Sequence, residues 1–312
     1  MPWIVGIDEA GYGPNLGPFV MSAAAIRVSD ELANACLWQV LGAWVRRQAG
    51  NDDGRLVIDD SKLVHAAGLK RLETGVLAAC LPASRPEPLA DFLQRLGALG
   101  CEELQREAWY TGQTVLPLEA SPERCARFRE QSADDRIRWS LPCPVIVCPT
   151  QFNDVLERTD NKGAILSRCL GQLLRQVLAA DDTEAMVVHI DKHGGRNFYG
   201  PLLQDLLGQG VVRALEEGAR RSVYEVQGLA RPLRLTFQPE ADGEHFCVAL
   251  ASMVSKYLRE VLMLEFNRFW RRHIPGLKPT AGYPLDAKRF WKAIQPTVAT
   301  LGIDRRALWR EK

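Results

Sequence analysis

The chain has 312 residues, an apolar fraction of 46% and a formal net charge of +1. This length suits one core domain with a sizeable insertion or appendage. No apolar run is long enough to span a membrane and no leader pattern precedes the first strand, so we expect a cytoplasmic protein with no membrane partner. The eight cysteines form no C-x-x-C pair, which favours reduced core residues over a metal-thiolate site.

The charge is distributed unevenly. Residues 256–312 contain thirteen basic and five acidic residues, a net charge of +8. Such a segment is typical of a surface that binds a polyanion, although the solvated face of amphipathic helices has the same composition. We therefore treat 256–312 as a basic helical C-terminal part and nucleic acid as a candidate partner.

The first half of the chain alternates apolar runs with turn-rich stretches. Its predicted strands are 3–7, 19–28 and 55–58. A glycine-rich loop joins the first two strands, and apolar residues at helical spacing predict a helix over about 31–48. The region from about 75 to 150 is irregular and proline-rich, includes an exposed-looking Trp109-Tyr110 pair, and is interpreted as an insertion.

Regular patterns return in the second half of the chain. Apolar pairs every four residues predict a helix over 161–178, and a buried strand follows at 186–190. Further strands are predicted at 222–227 and 233–237, before a long helix from Asp242 to about 272. Strands and helices interleaved in this way predict an α/β fold with a mixed sheet flanked by helices.

Acidic residues stand where these elements end or begin. Asp8 and Glu9 follow the first strand, Asp191 follows a central strand, and Asp242 opens the long helix. Acids at strand ends of an α/β sheet converge, and converged carboxylates repel unless a cation separates them. Mg²⁺ takes oxygen ligands, and two such ions about 4 Å apart can drive phosphodiester cleavage. Taken singly, Asp242 could be only a helix N-cap and the other acids solvated turn residues.

Other kinds of site fit the sequence less well. Gly11-x-Gly13-x-x-x-Gly17 departs from the dinucleotide pattern G-x-G-x-x-G, and a strand follows it rather than a helix. No P-loop motif occurs, and the five histidines form no H-x-x-x-H ligand pair. The acids therefore carry the chemical hypothesis.

Four motifs resemble one known family. Gly6-Ile7-Asp8-Glu9-Ala10-Gly11-Tyr12-Gly13-Pro14 resembles the signature that opens ribonuclease HII. Three later motifs resemble those of the same family, in the same order: Asp60-Ser61-Lys62, Ala241-Asp242 with its following Ala-rich and Ser-containing helix, and Gly282-Tyr283.

This resemblance implies a ribonuclease H-like catalytic domain at 1–255, carrying the insertion, and the basic part at 256–312. The implied activity is an endonuclease that cuts the RNA strand or embedded ribonucleotides of RNA/DNA duplexes by two-metal hydrolysis with Mg²⁺ or Mn²⁺. The implied catalytic and metal-binding residues are Asp8, Glu9, Asp191 and Asp242. The implied substrate contacts are Gly11, Tyr12, Gly13, Lys62 and Tyr283.

Departures from the family pattern leave alternatives open. Tyr12 stands where the family has arginine, and Arg196, after a glycine pair, is predicted to grip the phosphate in its place. An ordinary turn with Arg196 in solvent is equally consistent with Gly194-Gly195. A related nuclease for another structured nucleic acid, or a non-catalytic nucleic-acid-binding protein, would also keep these motifs.

Overall fold

The structure, a computed structural model, describes residues 1–48, 53–80, 86–132, 134–179 and 183–311. Within these ranges the chain forms twelve strands: β1 (Trp3–Ala10), β2 (Phe19–Val28), β3 (Val45–Arg46), β4 (Leu56–Val57), β5 (Glu87–Pro88), β6 (Val115–Leu116), β7 (Ile137–Trp139), β8 (Cys143–Val147), β9 (Met186–Asp191), β10 (Val211–Glu217), β11 (Ser222–Gln227) and β12 (Leu233–Gln238).

The same ranges contain eleven α-helices: α1 (Leu37–Val40), α2 (Ser61–Ala66), α3 (Leu69–Cys80), α4 (Leu89–Arg95), α5 (Cys101–Leu104), α6 (Pro122–Gln131), α7 (Pro149–Thr159), α8 (Gly163–Leu178), α9 (Gly200–Leu207), α10 (Phe246–His273) and α11 (Pro284–Leu301). Short 3-10 helices lie at Asp30–Leu32, Ala241–Gly243 and Arg305–Ala307. Among the described residues, no helix has both the length and the apolar character that a membrane crossing requires.

One large sheet organises the molecule. Its strand order is β10-β11-β12-β9-β1-β2-β7, and β8 also pairs with β2. The central strand β1 runs parallel to β9 and antiparallel to β2, while β12 is parallel to β9. The sheet is therefore mixed, with helices on both faces, which confirms the predicted fold class.

Alternation along β1 separates two cores. Val5 and Ile7 point to the face covered by α8, where they pack in one apolar cluster with Leu170. Gly6 points to the opposite face, where a Cβ would come within 2.1 Å of the Cys247 backbone. A side chain at Gly6 would push α10 away from β1, so this glycine lets helix and strand backbones meet.

The helix predicted over 31–48 is wrong. This stretch forms a 3-10 turn, the four-residue helix α1 and strand β3, which pairs in parallel with β4. Backbone bonds to the neighbouring strand replace helical ones, since the Leu56 amide donates to the Trp44 carbonyl at 2.8 Å. The apolar residues of this stretch have helical spacing, but pairing of β3 with β4 buries Val45 in a strand and not in a helix.

The region interpreted as an insertion contributes to the core. Its strands β7 and β8 both pair with β2. Trp109 is 1% exposed and packs edge-on against Phe266 of α10 at 5.7 Å, so the exposed position expected for this residue is wrong. Residues 81–85 and 133 of the region lie outside the described residues. Helix α10 runs through residue 255 without a break, and the division of the chain there stays a prediction.

Two buried carboxylates fasten this region to the core helices. Glu265 of α10 accepts backbone N–H bonds from Thr111, Gly112 and Thr114, at 2.8, 3.1 and 3.2 Å. Glu73 of α3 accepts three backbone N–H bonds from residues 118–120, and a fourth bond from the Tyr257 hydroxyl at 2.6 Å. Satisfying both acids in this way fixes the loop over 111–120 against α10 and α3.

Candidate active site

The centre of the candidate site lies at the ends of two adjacent parallel strands. Ile7 of β1 is in register with Ile190 of β9, and Asp8 and Asp191 each follow by one residue. Neighbouring strands are about 4.8 Å apart, and side chains alternate between faces. The two acids therefore emerge side by side on the face that α10 covers.

Asp242 reaches the same place from the turn before α10. It lies in the 3-10 helix Ala241–Gly243, whose Ala241 amide donates to Asp191 Oδ1 at 2.9 Å. Helix α10 has His245 as its N-cap, so the interpretation of Asp242 as the cap of this helix is wrong. The bond to Asp191 instead fixes the turn beside the end of β9.

Burial and like charge act together on these acids. Burial raises the pKa of Asp8 well above its usual value, and the charges of Glu9, Asp191 and Asp242 raise it further. Burial also raises the pKa of Glu9 to about 7 and that of Asp191 to about 6. The four predicted catalytic acids thus lie within electrostatic range of one another. As the described side chains stand, no three His, Cys, Asp or Glu residues form a group that could hold a metal ion.

Lys62 and Asp60 flank the acids from α2. Burial raises the pKa values of Glu9, Asp191 and Asp242, and the positive charge of Lys62 offsets part of each rise, which places the exposed Lys62 side chain near all three acids. Asp60 caps α2 by accepting from the Lys62 amide at 2.7 Å, and after burial its charge is the largest cause of the raised pKa of Asp242. Asp60 belongs to the second motif but was not predicted to be a site residue.

Hydroxyl groups join α2, α10 and β1 beneath the acids. The Ser252 hydroxyl of α10 is within hydrogen-bond distance of the Ser61 hydroxyl of α2, at 3.0 Å, and a hydrogen bond from Ser252 to Asp8 partly offsets the raised pKa of that acid. Ser255, one turn further on, donates to the Asp8 carbonyl at 3.1 Å. The Ser-containing helix of the third motif therefore supports the backbone and side chain of Asp8.

The loop over Gly11, Tyr12 and Gly13 borders the acids on the other side. Tyr12 is partly buried and packs edge-on against Phe19 at 6.2 Å. Burial and then the charge of Glu9 raise its pKa, so the phenol lies close to that acid. The Lys162 ammonium lies 4.4 Å from the centre of the Tyr12 ring. Sequence reasoning missed this cation, because no motif marks the residue before α8.

The observed contacts of Arg196 are with Ser167 and Tyr199. Its Nη1 donates to Ser167 of α8 at 3.3 Å, and its guanidinium carbon lies 5.8 Å from the Tyr199 ring centre. Gly194, with a φ of +58°, forms a turn before it. The role of Arg196 in holding a phosphate stays a prediction.

Tyr283 adjoins the same glycine-rich loop. It is 50% exposed and is the N-cap of α11. The preceding Gly282 carbonyl accepts from the amides of Asn15 and Leu16, at 2.8 and 3.3 Å. This pairing brings an exposed aromatic ring next to the loop that carries Tyr12. The order of the motifs along the chain does not predict this closeness.

Comparisons with known proteins give structural matches only. No family model matches the sequence, and no curated protein matches it. The chain is similar to RNase HII of Archaeoglobus fulgidus, from a complex with PCNA, with a TM-score of 0.46, 15% identity and coverage of 99% of this chain and 94% of that chain. It is also similar to ribonuclease H2 of Pyrococcus horikoshii OT3, with a TM-score of 0.47, 13% identity and coverage of 98% of this chain and 92% of that chain. A third similar structure is RNase H3 of Aquifex aeolicus, with a TM-score of 0.46, 13% identity and coverage of 98% of this chain and 71% of that chain.

Proposed function

We propose that this protein is a metal-dependent endonuclease that hydrolyses the RNA strand, or embedded ribonucleotides, of RNA/DNA duplexes. The observation that carries the proposal is the convergence of Asp8, Glu9, Asp191 and Asp242 at the ends of β1 and β9 and the turn before α10, where burial and neighbouring carboxylate charges raise the pKa of each acid. Partly buried like charges are costly in a folded protein and are typical of functional sites. The motif resemblance supplies the reaction class.

The donor set fits a hard divalent cation. All four acids offer carboxylate oxygens, the ligands that Mg²⁺ and Mn²⁺ prefer, and their mutual repulsion is relieved by positive charge. Asp8, Glu9, Asp191 and Asp242 would hold the ion. Such a cation, when bound, acidifies water and neutralises charge on the phosphodiester.

The residues around the acids are suited to orienting a duplex. The Lys62 ammonium is exposed beside three of the acids and would pair with a substrate phosphate. The backbone at Gly11 and Gly13 would approach the 2′-hydroxyl that distinguishes RNA from DNA, and the exposed Tyr283 ring would pack on the sugar.

Lys162 is suited to a role that the family assigns to arginine. It lies against the Tyr12 ring, next to the Glu9 carboxyl that raises the pKa of the Tyr12 phenol. We infer that the Tyr12–Lys162 pair contributes positive charge beside the cleavage site. Arg196 would then assist from the α8 side.

Exposed basic residues on α10 and α11 extend the proposed duplex-binding surface. Lys288 and Lys292 lie on the exposed side of α11, and Arg271 and Arg272 are exposed at the end of α10. These groups would contact phosphates at a distance from the acids.

All eight cysteines are free thiols, six of them buried, which supports a reducing compartment such as the cytoplasm.

The test is a cleavage assay on matched substrates. The protein is incubated with an RNA/DNA hybrid, a DNA duplex containing one ribonucleotide, plain DNA duplex and RNA duplex, each with Mg²⁺, Mn²⁺ or EDTA. We expect metal-dependent cutting of the first two substrates only. Cleavage in EDTA would refute metal dependence, and cutting of plain DNA would identify a different nuclease.

Variants tie any activity to the proposed residues. Asp8→Asn should abolish cleavage, whereas Asp205→Asn, an exposed acid on α9, should not. Duplex binding without cleavage by the wild-type protein in every metal would favour a nucleic-acid-binding protein without catalysis.

A further inference from the structure

Two buried arginines lie beneath the glycine-rich loop. Arg259 of α10 and Arg310, beyond α11, are each 1% exposed. A Cβ at Gly11, whose φ is +86°, would come within 2.5 Å of Arg259 Nε. The Arg310 backbone amide donates to the Asn15 carbonyl at 2.7 Å, and the Asn15 side chain returns a bond to the Arg310 carbonyl at 3.0 Å. Both side chains therefore lie under the loop that carries Tyr12.

Four guanidinium nitrogens of these two arginines lack acceptors among the described residues. Within the described part of the chain, none of the three guanidinium nitrogens of Arg310 has a hydrogen-bond partner. Its guanidinium carbon lies 4.8 Å from the centre of the Phe152 ring. Arg259 donates through Nη2 to the Ala281 carbonyl at 2.8 Å, but its Nε has no partner there.

The two positive charges also oppose each other. Burial, and then the charge of Arg259, lower the pKa of Arg310 to about 9, so Arg310 stays protonated at neutral pH. Among the described residues, Arg310 forms no ion pair, and the nearest acid to Arg259 is Glu260, 3.9 Å from Nη1. The buried charge of Arg310 without a counter-charge is strongly unfavourable, and the contacts of Arg310 with the Phe152 ring and of Arg259 with the Tyr283 ring, 5.9 Å away, offset little of this cost.

We propose that a small inorganic anion binds between Arg259 and Arg310 and neutralises them. Guanidinium N–H groups are suited to such an anion, whether an oxyanion such as phosphate or a halide such as chloride. Because both side chains are buried, a phosphate of a bound duplex does not reach them. The anion fastens α10 and the segment over 309–310 to the loop over 11–18, and its binding is independent of nuclease activity.

Thermal unfolding of the full chain in EDTA tests the proposal. Sodium gluconate, whose anion is bulkier than the two tested anions, is replaced stepwise by chloride or by phosphate at constant ionic strength. The melting temperature of the wild-type protein should rise saturably by a few degrees with at least one of the two anions. Arg310→Met, which removes one charge, should melt at nearly the same temperature in every salt. The exposed Arg138→Met should respond as the wild type does.

A saturable rise of the same size in Arg310→Met would overturn the proposal, and so would its absence from the wild type. If Arg310→Met does not fold, crystals of the wild-type protein decide the matter. In bromide we expect an anomalous peak between the two guanidinium groups, or in phosphate a tetrahedral density there. Water alone, or a carboxylate of the chain itself, at that position would refute the anion site.

Discussion

Replacing Glu9 with glutamine tests, without needing a substrate, whether burial and the neighbouring acids raise the pKa of Glu9. Burial, together with the charge of Asp191, raises the pKa of Glu9 from its usual 4.5 to about 7. The folded protein therefore binds this proton more tightly than the unfolded chain does. Its stability should fall as the pH rises from about 4.5 to about 7, the opposite of the effect of a salt-bridged carboxylate.

The size of this effect follows from the shift in pKa. The interval between 4.5 and 7 is about 2.5 pH units, and each unit corresponds to about 1.4 kcal/mol. An ionised Glu9 thus lowers the free energy of unfolding by about 3 kcal/mol. Glutamine has the same shape and no charge. We expect Glu9→Gln to be more stable than the wild type by up to this amount at about pH 8, and equally stable at about pH 4.

Urea unfolding in EDTA at the two pH values measures the difference. Glu102→Gln, an exposed glutamate in the first turn of α5, is the matched control and should change stability little at either pH. Added Mg²⁺ should stabilise the wild type more than Glu9→Gln, because the cation relieves the repulsion between carboxylates that the substitution has already reduced. A Glu9→Gln protein that is less stable at about pH 8, or changed equally at both pH values, would refute the raised pKa of Glu9.

Three further predictions concern catalysis, binding and folding. Asp242→Asn should lose cleavage while its circular dichroism spectrum is unchanged, and full turnover would remove Asp242 from the site. Lys288→Glu with Lys292→Glu should weaken duplex binding and make the slope of log affinity against log salt shallower by up to about 2, as fluorescence anisotropy would show; an unchanged slope would mean that these lysines only solvate α11. Glu73→Ala should lower the free energy of unfolding by at least about 3 kcal/mol in urea, because it leaves three backbone donors and the Tyr257 hydroxyl without their acceptor, and a loss below about 1 kcal/mol would contradict that account.

Local sequence patterns predicted the elements whose environment is decided by their own residues. Strands β2, β9 and β11 are continuous apolar runs or alternations, and they lie within a residue or so of the predicted bounds. The pairs that repeat every four residues likewise identified α8. These patterns report burial directly, since each buried face belongs to a single regular element.

Elements shaped by distant partners were not predictable in the same way. The stretch over 31–48 has apolar residues at helical spacing, yet Val45 pairs with Leu56, and no local signal specifies that bond. Trp109 is in a polar, irregular region, and only the later helix α10 supplies Phe266 to bury it. Tertiary contacts override propensity where a segment has little regular structure of its own.

The candidate site shows the same division. Asp8, Asp191 and Asp242 could be proposed together because each follows or precedes a recognisable element. Asp60 and Lys162 could not, because their closeness to Asp242 and Tyr12 depends on how α2 and α8 pack.

The loop over 11–18 depends on partners that are made much later during synthesis. Asn15 and Leu16 bond to Gly282, and Asn15 to Arg310, while the central strand β1 waits for β9 to form its parallel partner. Nearly all of these contacts join residues far apart along the chain, which slows folding. On the ribosome, β1 can pair with β2 early, but the loop over 11–18 gains its bonds to Gly282 and Arg310 only after those residues have been translated. The edge of β1 that pairs with β9 stays exposed until β9 has been made, so a chaperone that shields this edge should raise the yield of folded protein more than one acting after release.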